Sequence, residues 1–423
     1  MKDHELSVII VGAGQAGIAM SYHLLQAKIN HIILERDTPF HSWRNQRWDS
    51  FRLVTQNWQN QLPGCNFTHN HRNAFLSKAG LLQSLEESLK KNKFPIRYPT
   101  EVTQISRTAH GSFKVQTQGE VFYSSAIVIA TGSFSRPHFP FDRTQFPKRI
   151  IQLHSAEYRN PRSLPDGAIL VVGGGQSGFQ ITKELLESRK EVLFSFGQCT
   201  WLPRTYRGRD ILEWLDLVGI VDLPTDQFPN PREARFITSP VICESAGGFR
   251  TLIKDGVKVL GRLARIQEQV MHFDHGLKKS FAESDLFYFR ATHLIDQYIK
   301  RHRLKATQKE PLKTALLRSV AMPQQAATQL ECNKISTLVW ATGFREDYSF
   351  VRLPVFDSQG QPLVKRGITN VGGCYFLGLH RLYNFKSGSL YGVGDDAEYL
   401  LPHIVSHLKA GQLTGNSLAN HPM

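Results

Sequence analysis

A chain of 423 residues with 41% hydrophobic and 21% charged residues is long enough to build more than one buried core and points to two domains. Its formal charge of +15 admits polyanionic partners. Without zinc-type spacing, an RNA-binding aromatic motif or a basic low-complexity tail, it does not support nucleic-acid binding. No apolar run reaches the ~18 residues of a membrane span, no signal-peptide pattern is present, and Cys65, Cys199, Cys243, Cys332 and Cys374 form no C-x-x-C pair. The expectation is a cytoplasmic protein with reduced thiols, no integral membrane segment, no metal site and no dithiol redox centre.

Residues 7–11 read as a short buried strand, 18–28 as a helix with Ile18, Leu24 and Leu25 on its apolar face, and 31–34 as a second strand. Between the first strand and the helix lies GAGQAG at 12–17. In this spacing Gly12 makes the tight turn, Gly14 lets the backbone approach a pyrophosphate, and Gly17 lets the helix pack on the strand. Gln15 and Ala16 open the helix, whose free N–H groups suit phosphates. Glu35, with Arg36 beside it, ends the second strand, where an acid accepts a hydrogen bond from an adenosine ribose. Strand, turn, helix, strand and acid complete a dinucleotide fingerprint.

The segment from 41 to 58 holds Trp43, Trp48, Trp58, Arg44, Arg47 and Arg52. These rings are either core or a surface for adenine and isoalloxazine, with guanidinium groups for phosphates; Trp43 and Arg47 are taken as cofactor contacts. Residues 75–91 form an amphipathic helix. Strands at 113–117 and 126–129 make an antiparallel excursion that returns to the parallel sheet and ends at Ala130, Thr131 and Gly132. Residues 139–166, rich in Pro and Arg, read as a linker.

A second βαβ unit follows. VVGGGQSG at 171–178 repeats the glycine spacing with Gly173, Gly175 and Gly178, and Gln176 and Ser177 stand where Gln15 and Ala16 stood. A glycine turn of this kind is also compatible with a purely structural role. Its second strand ends Phe194, Ser195, Phe196, Gly197 with no acid. An acid there would repel a 2′-phosphate. Its absence, with Arg204, Arg207 and Arg209 shortly after, favours NADPH over NADH, unless those arginines pair with Asp210, Glu213 or solvent. Residues 211–250 are irregular. Strands at 256–260 and 269–273 read as a pair, 284–302 as a helix, and 337–340 as a strand ending at Ala341, Thr342 and Gly343. A strand at 375–377 and a helix over 397–408 close the chain; the last fifteen residues read as loose. Apart from the two βαβ units no repeat is evident.

With GAGQAG at 12–17 and Glu35, RWDSFRLVT at 47–55, ATG at 130–132, QLHSAEYRNP at 152–161, VVGGGQSG at 171–178, WATGFR at 340–345 and GVGDDAEYL near the end, nearly the whole chain resembles the class B flavoprotein monooxygenases. Within these it resembles the bacterial flavin-containing monooxygenase-like oxidoreductases. The resemblance implies an α/β fold of two Rossmann-like dinucleotide-binding domains, with an FAD domain interrupted by an inserted NADP domain: residues 1–155, then 156–335 for NAD(P)H, then 336–423 as the FAD return segment. It implies FAD on the first unit and Asp395 and Asp396, at a helix N-terminus, near the ribityl or ring end of the flavin, where the dipole steadies reduced flavin.

Two departures stand out. The family fingerprint F-x-G-x-x-x-H-x-x-x-[Y/F/W] keeps His154 and Tyr158 but has Lys148 and Ile150 for Phe and Gly, and Arg159 argues against ketone oxygenation. The family's asparagine beside the reactive flavin position has Asn57 and Asn60 as its nearest counterparts. The expected mechanism is flavin-centred: NADPH reduces FAD, oxygen adds at C4a, and the hydroperoxide passes one oxygen to an amine or sulfide. Asn57, His154 and Arg204 are the candidate catalytic-site residues. The alternatives are a reductase or dehydrogenase passing electrons to another acceptor, and a flavin-bound sensor. A small-molecule substrate and molecular oxygen are the expected partners; the sequence is compatible with a homo-oligomer without setting the state.

Overall fold

The computed structural model describes residues 5–67, 71–198, 200–227, 241–244, 247–307 and 327–418. Cys199, parts of the irregular 211–250 segment and residues 419–423 lie outside them.

The first sheet has a parallel core in the order Cys374–Phe376, Val121–Ile129, Glu5–Val11, His31–Leu34, Ile96–Arg97. Its strands are apolar on both faces because both are covered. Val8, Ile10 and Ile33 face the Gln15–Gln26 and Val393–Leu418 helices, while Ile9, Val11 and Leu34 face the other side. The start of Val121–Ile129 pairs antiparallel with Phe113–Thr117, and that strand with Val102–Arg107, as the expected excursion requires.

The second sheet is parallel throughout, in the order Lys258–Leu260, Val192–Ser195, Ile169–Val172, Thr337–Trp340, Ile151–His154. The Gln176–Glu187 helix covers Ile169, Val171 and Val339. The opposite face, with Leu170, Leu193 and Trp340, is covered by an antiparallel trio of Leu263–Gln267, Val270–Phe273 and Gln329–Glu331. The repeat therefore extends beyond the βαβ units: each sheet carries a three-stranded meander on one face.

Five expectations change. The segment read as a linker contains the edge strand Ile151–His154, and Thr337–Trp340 is an interior strand of the second sheet, so division points at 155 and 335 cut through that sheet. The chain instead passes between domains where Arg136–Pro137 pairs with Phe344–Arg345. The 256–260 strand does not pair with 269–273: Lys258–Leu260 joins the parallel sheet and Leu263–Gln267 takes the antiparallel partner. The helix expected at 284–302 spans Leu277–Arg301, and the final helix runs Val393–Leu418, through most of the stretch read as loose.

Candidate functional site

The two glycine turns are built alike. Gly12 N donates to Leu34 O at 2.8 Å and Gly173 N to Ser195 O at 2.8 Å. Both first glycines have positive φ, +105° and +126°. A Cβ at Gly12 would stand 2.7 Å from Ala130 O, and one at Gly173 2.2 Å from Ala341 O. The two Ala-Thr-Gly stretches are thus one structural piece used twice: the wall against which each turn closes. Cβ atoms at Gly17 and Gly178 would stand 1.9 and 1.8 Å from the carbonyls of Gly12 and Gly173. The middle glycines differ. Gly14 and Gly175 are helix N-caps without a side-chain cap, and a Cβ on either would meet no protein atom within 4 Å. Each helix start therefore presents unpaired N–H groups across bare backbone, a cradle that fits a pyrophosphate.

At the end of the second strand the units part. Glu35 accepts from Ala13 N at 2.7 Å and Asp37 N at 2.8 Å, holding its carboxylate against the first turn. Arg36 is exposed and pairs with Asp37. The equivalent of Glu35 is Phe196, since Glu35 N bonds Arg97 O as Phe196 N bonds Leu260 O. Phe196 is buried among Phe194, Phe249 and Phe281. Arg204, Arg207 and Arg209 are all in ion pairs, with Asp210, Asp296 and Glu213. The cation at this end is Arg262, whose Cβ, Cγ and Cδ lie 3.4–3.6 Å from the Cβ position of Gly197. Its exposed guanidinium has no partner among the described residues. No local motif marks it. It follows the Lys258–Leu260 strand and reaches the turn only through the pairing of that strand with Val192–Ser195.

Around the first cradle, Gln15 Nε2 donates to Gly388 O at 2.5 Å and accepts at Oε1 from Trp43 Nε1 at 2.9 Å. Ala16 packs under Gly378, whose Cβ would come within 2.5 Å. Gln176 braces its own loop in the same way, exchanging both bonds with the Ile242 backbone. Ser177 is half-buried at the start of its helix. Thr131 Oγ1 is buried without a partner, whereas Thr342 Oγ1 donates to His138 O. Arg47 is buried with Trp43, Phe51 and Phe134 rings 4.9–5.6 Å from its guanidinium carbon. It donates to Gln46 O, and no carboxylate among the described residues pairs with it. Burial pulls its pKa down to about 10. A buried cation without a counterion fits an anionic ligand.

Asn57 donates through Nδ2 to His71 O at 3.0 Å and keeps Oδ1 buried without a partner, as is Gln59 Nε2 nearby. Arg204 Nη1 reaches across the seam to Val54 O at 2.5 Å and stacks on Phe75. The second domain thus touches the segment that carries Asn57. His154 lies elsewhere. It is fully buried, its Nε2 bonds Gly343 O at 2.8 Å, and its Nδ1 accepts from Ala156 N at 3.2 Å. Burial lowers its pKa, so it is a neutral strut between the Ile151–His154 strand and the second wall.

Asp395 and Asp396 sit in the first turn of the Val393–Leu418 helix. Asp395 points outward toward Lys386. Asp396 is buried, Oδ2 lacks a partner, and Arg366, held between the rings of Tyr383 and Tyr399, is 4.0 Å away. Burial raises its pKa to about 6 against the pull of Ser387 and Arg366. A raised carboxyl stabilises the fold when protonated, and that stability is lost as pH rises through about 6. Asp396→Asn is therefore expected to raise the melting temperature of the flavin-free protein at pH 8 by the equivalent of about 3 kcal/mol and to flatten its decline between about pH 4 and 7. Thermal unfolding across pH checks this.

A family model described as pyridine nucleotide-disulphide oxidoreductase matches residues 9–207. An uncharacterized CzcO-like oxidoreductase of Geobacillus kaustophilus is 31% identical over 96% of this chain and 99% of its own. The fold is shared with a flavin-containing monooxygenase from Stenotrophomonas maltophilia, at 19% identity and a TM-score of 0.67 over 95% of this chain and 99% of that one. It is also shared with OTEMO, solved in complex with FAD and NADP, at 15% identity and a TM-score of 0.55 over 96% and 86%. The full-length match, together with the doubled glycine cradle, places this chain among the CzcO-like oxidoreductases.

Proposed function

We propose that the first cradle holds FAD and the second NADPH, and that the enzyme is a monooxygenase acting on a small nitrogen- or sulfur-containing substrate. The observation that carries the reading is the difference between two otherwise matching turns. Glu35 suits a ribose with a free 2′-hydroxyl. Phe196 and the unpaired Arg262 suit a 2′-phosphate. Arg47 would neutralise the FAD pyrophosphate. Thr131 would offer its unpaired hydroxyl to the same ligand. Asn57 would place its free amide oxygen beside the reacting ring, and Arg204 would hold the seam through which the nicotinamide reaches it. When bound, the flavin would supply the redox chemistry, taking hydride from NADPH and, with molecular oxygen, providing one oxygen atom to the substrate while the other leaves as water. The chain supplies orientation and a dry pocket.

The test is anaerobic reduction of the purified flavoprotein with NADPH, then mixing with oxygenated buffer while the flavin spectrum is recorded. A lasting C4a-adduct spectrum supports oxygen insertion. Immediate return to oxidised flavin with stoichiometric peroxide, even with amines and sulfides present, supports the second reading, a reductase serving another acceptor. The missing Phe and Gly of the family fingerprint, at Lys148 and Ile150, favour that second reading. Arg262→Ala is expected to raise KM for NADPH by roughly 10- to 100-fold and leave NADH unchanged, the loss of one charge-assisted contact. Steady-state kinetics with both donors checks it.

A further inference from the structure

We propose that the outward face of the Leu277–Arg301 helix docks this protein on an anionic lipid surface. The helix has 25 residues, a length of about 37 Å. Its inward face, with Phe281, Tyr288, Ile295 and Ile299, is part of the second-domain core. On the other side, positions 279, 282, 286, 290, 293, 297 and 300 follow one another at three- and four-residue steps and are all exposed. Among the described residues, nine large apolar side chains are exposed; three of them, Leu286, Phe289 and Leu294, lie on this helix at 46–48% exposure. That grouping departs from the scattered single residues of an ordinary surface.

The charge around them is predominantly basic. Lys279, Arg290, Lys300 and Arg301 are exposed on the same side, and Arg303 and Lys305 continue the run beyond the helix. The acids of the helix are turned away or engaged: Asp285 pairs with Arg250, Asp296 with Arg207 and Tyr206, and Glu283 with Gln198 and Lys279. Large apolar side chains flanked by lysine and arginine fit a bilayer interface. There the apolar groups enter the acyl boundary and the cations meet lipid phosphates. A second copy packed on this face by a two-fold axis would set its lysines and arginines against their own equivalents. Nucleic acid would use the cations and leave Leu286, Phe289 and Leu294 in water. No helix among the described residues is long and apolar enough to cross a membrane, so the contact is in-plane.

The experiment is sedimentation of the full-length, flavin-loaded protein with vesicles of phosphatidylcholine, pure or with half phosphatidylglycerol. The mixed vesicles are expected to retain at least about ten times more protein, and about 0.5 M salt to release it. Arg290→Glu with Lys300→Glu is expected to cut retention at least about tenfold. Leu286→Ser with Phe289→Ser is expected to cut it severalfold, with flavin content and NADPH oxidation unchanged in both variants. Equal retention on the two vesicle types overturns the proposal, as does either double variant binding like the parent. Displacement by duplex DNA at matched phosphate concentration would reassign the face to nucleic acid. A dimer that dissociates on Leu286→Ser with Phe289→Ser would reassign it to a second copy.

Discussion

Gly175→Ala is expected to leave the melting temperature within about 2 °C of the parent while KM for NADPH rises by at least about 100-fold. The added methyl meets no protein atom within 4 Å and sits at the head of the Gln176–Glu187 helix. The methyl does not clash with the fold, so the loss expected on the proposed reading comes from a clash with a ligand phosphate. Gly173→Ala is the control for a structural glycine. Its Cβ would stand 2.2 Å from Ala341 O at a φ of +126°, so the turn must break, at a cost of several kcal/mol, in the range of about 4 or more. The pair separates two roles within one motif. Thermal unfolding and NADPH-dependent flavin reduction, measured on both, part the roles if the cradle holds a dinucleotide: Gly175→Ala loses NADPH use alone, whereas Gly173→Ala loses stability as well. If Gly175→Ala reduces flavin at the parental rate and KM, the second turn is merely a turn.

Arg47→Met should stabilise the flavin-free protein and weaken FAD binding. The side chain is buried among three rings with no carboxylate partner, and burial has already lowered its pKa to about 10. That shift corresponds to about 3 kcal/mol held against the charged form. Met removes the penalty and keeps the length. The cost then appears on binding, since a pyrophosphate loses its counterion: the FAD dissociation constant is expected to rise at least about tenfold. Flavin titration of the apoprotein, with unfolding of the apo and loaded forms, checks both signs. A variant that is less stable without flavin and binds it as before would make Arg47 a packing residue.

The dinucleotide turns were legible in the sequence because their chemistry is local. Turn, cap and helix start lie within six residues, and the third glycine of each turn answers to the carbonyl of the first. Glu35 was legible for the same reason. What the sequence concealed depends on pairing between distant strands. Arg262 reaches the second turn only because Lys258–Leu260 lies beside Val192–Ser195, whereas a local reading looked to Arg204, Arg207 and Arg209, which acids a few residues away or across the fold already engage. Ile151–His154 was hidden in a Pro- and Arg-rich stretch because an edge strand needs only a partner on one side, here Thr337–Trp340. The meander over the second sheet escaped notice because one strand, Gln329–Glu331, comes from far down the chain.

The neck between the domains carries its own consequence. Arg136–Pro137 lies beside Phe344–Arg345, and His138 N bonds Gly343 O at 2.9 Å. The outgoing and returning chains are therefore one hydrogen bond apart. To the first domain, the whole stretch between them is topologically a hairpin loop that happens to contain a second fold. Such a loop can be lengthened or exchanged as a unit if its seam is kept, since Trp48 and Tyr391 of the first domain are buried in the second-domain core. The inserted module, to which we assign NADPH, is in this sense a graft. On the proposed cofactor assignment, donor preference could change by exchanging the graft together with its seam contacts, such as Arg204 Nη1 to Val54 O.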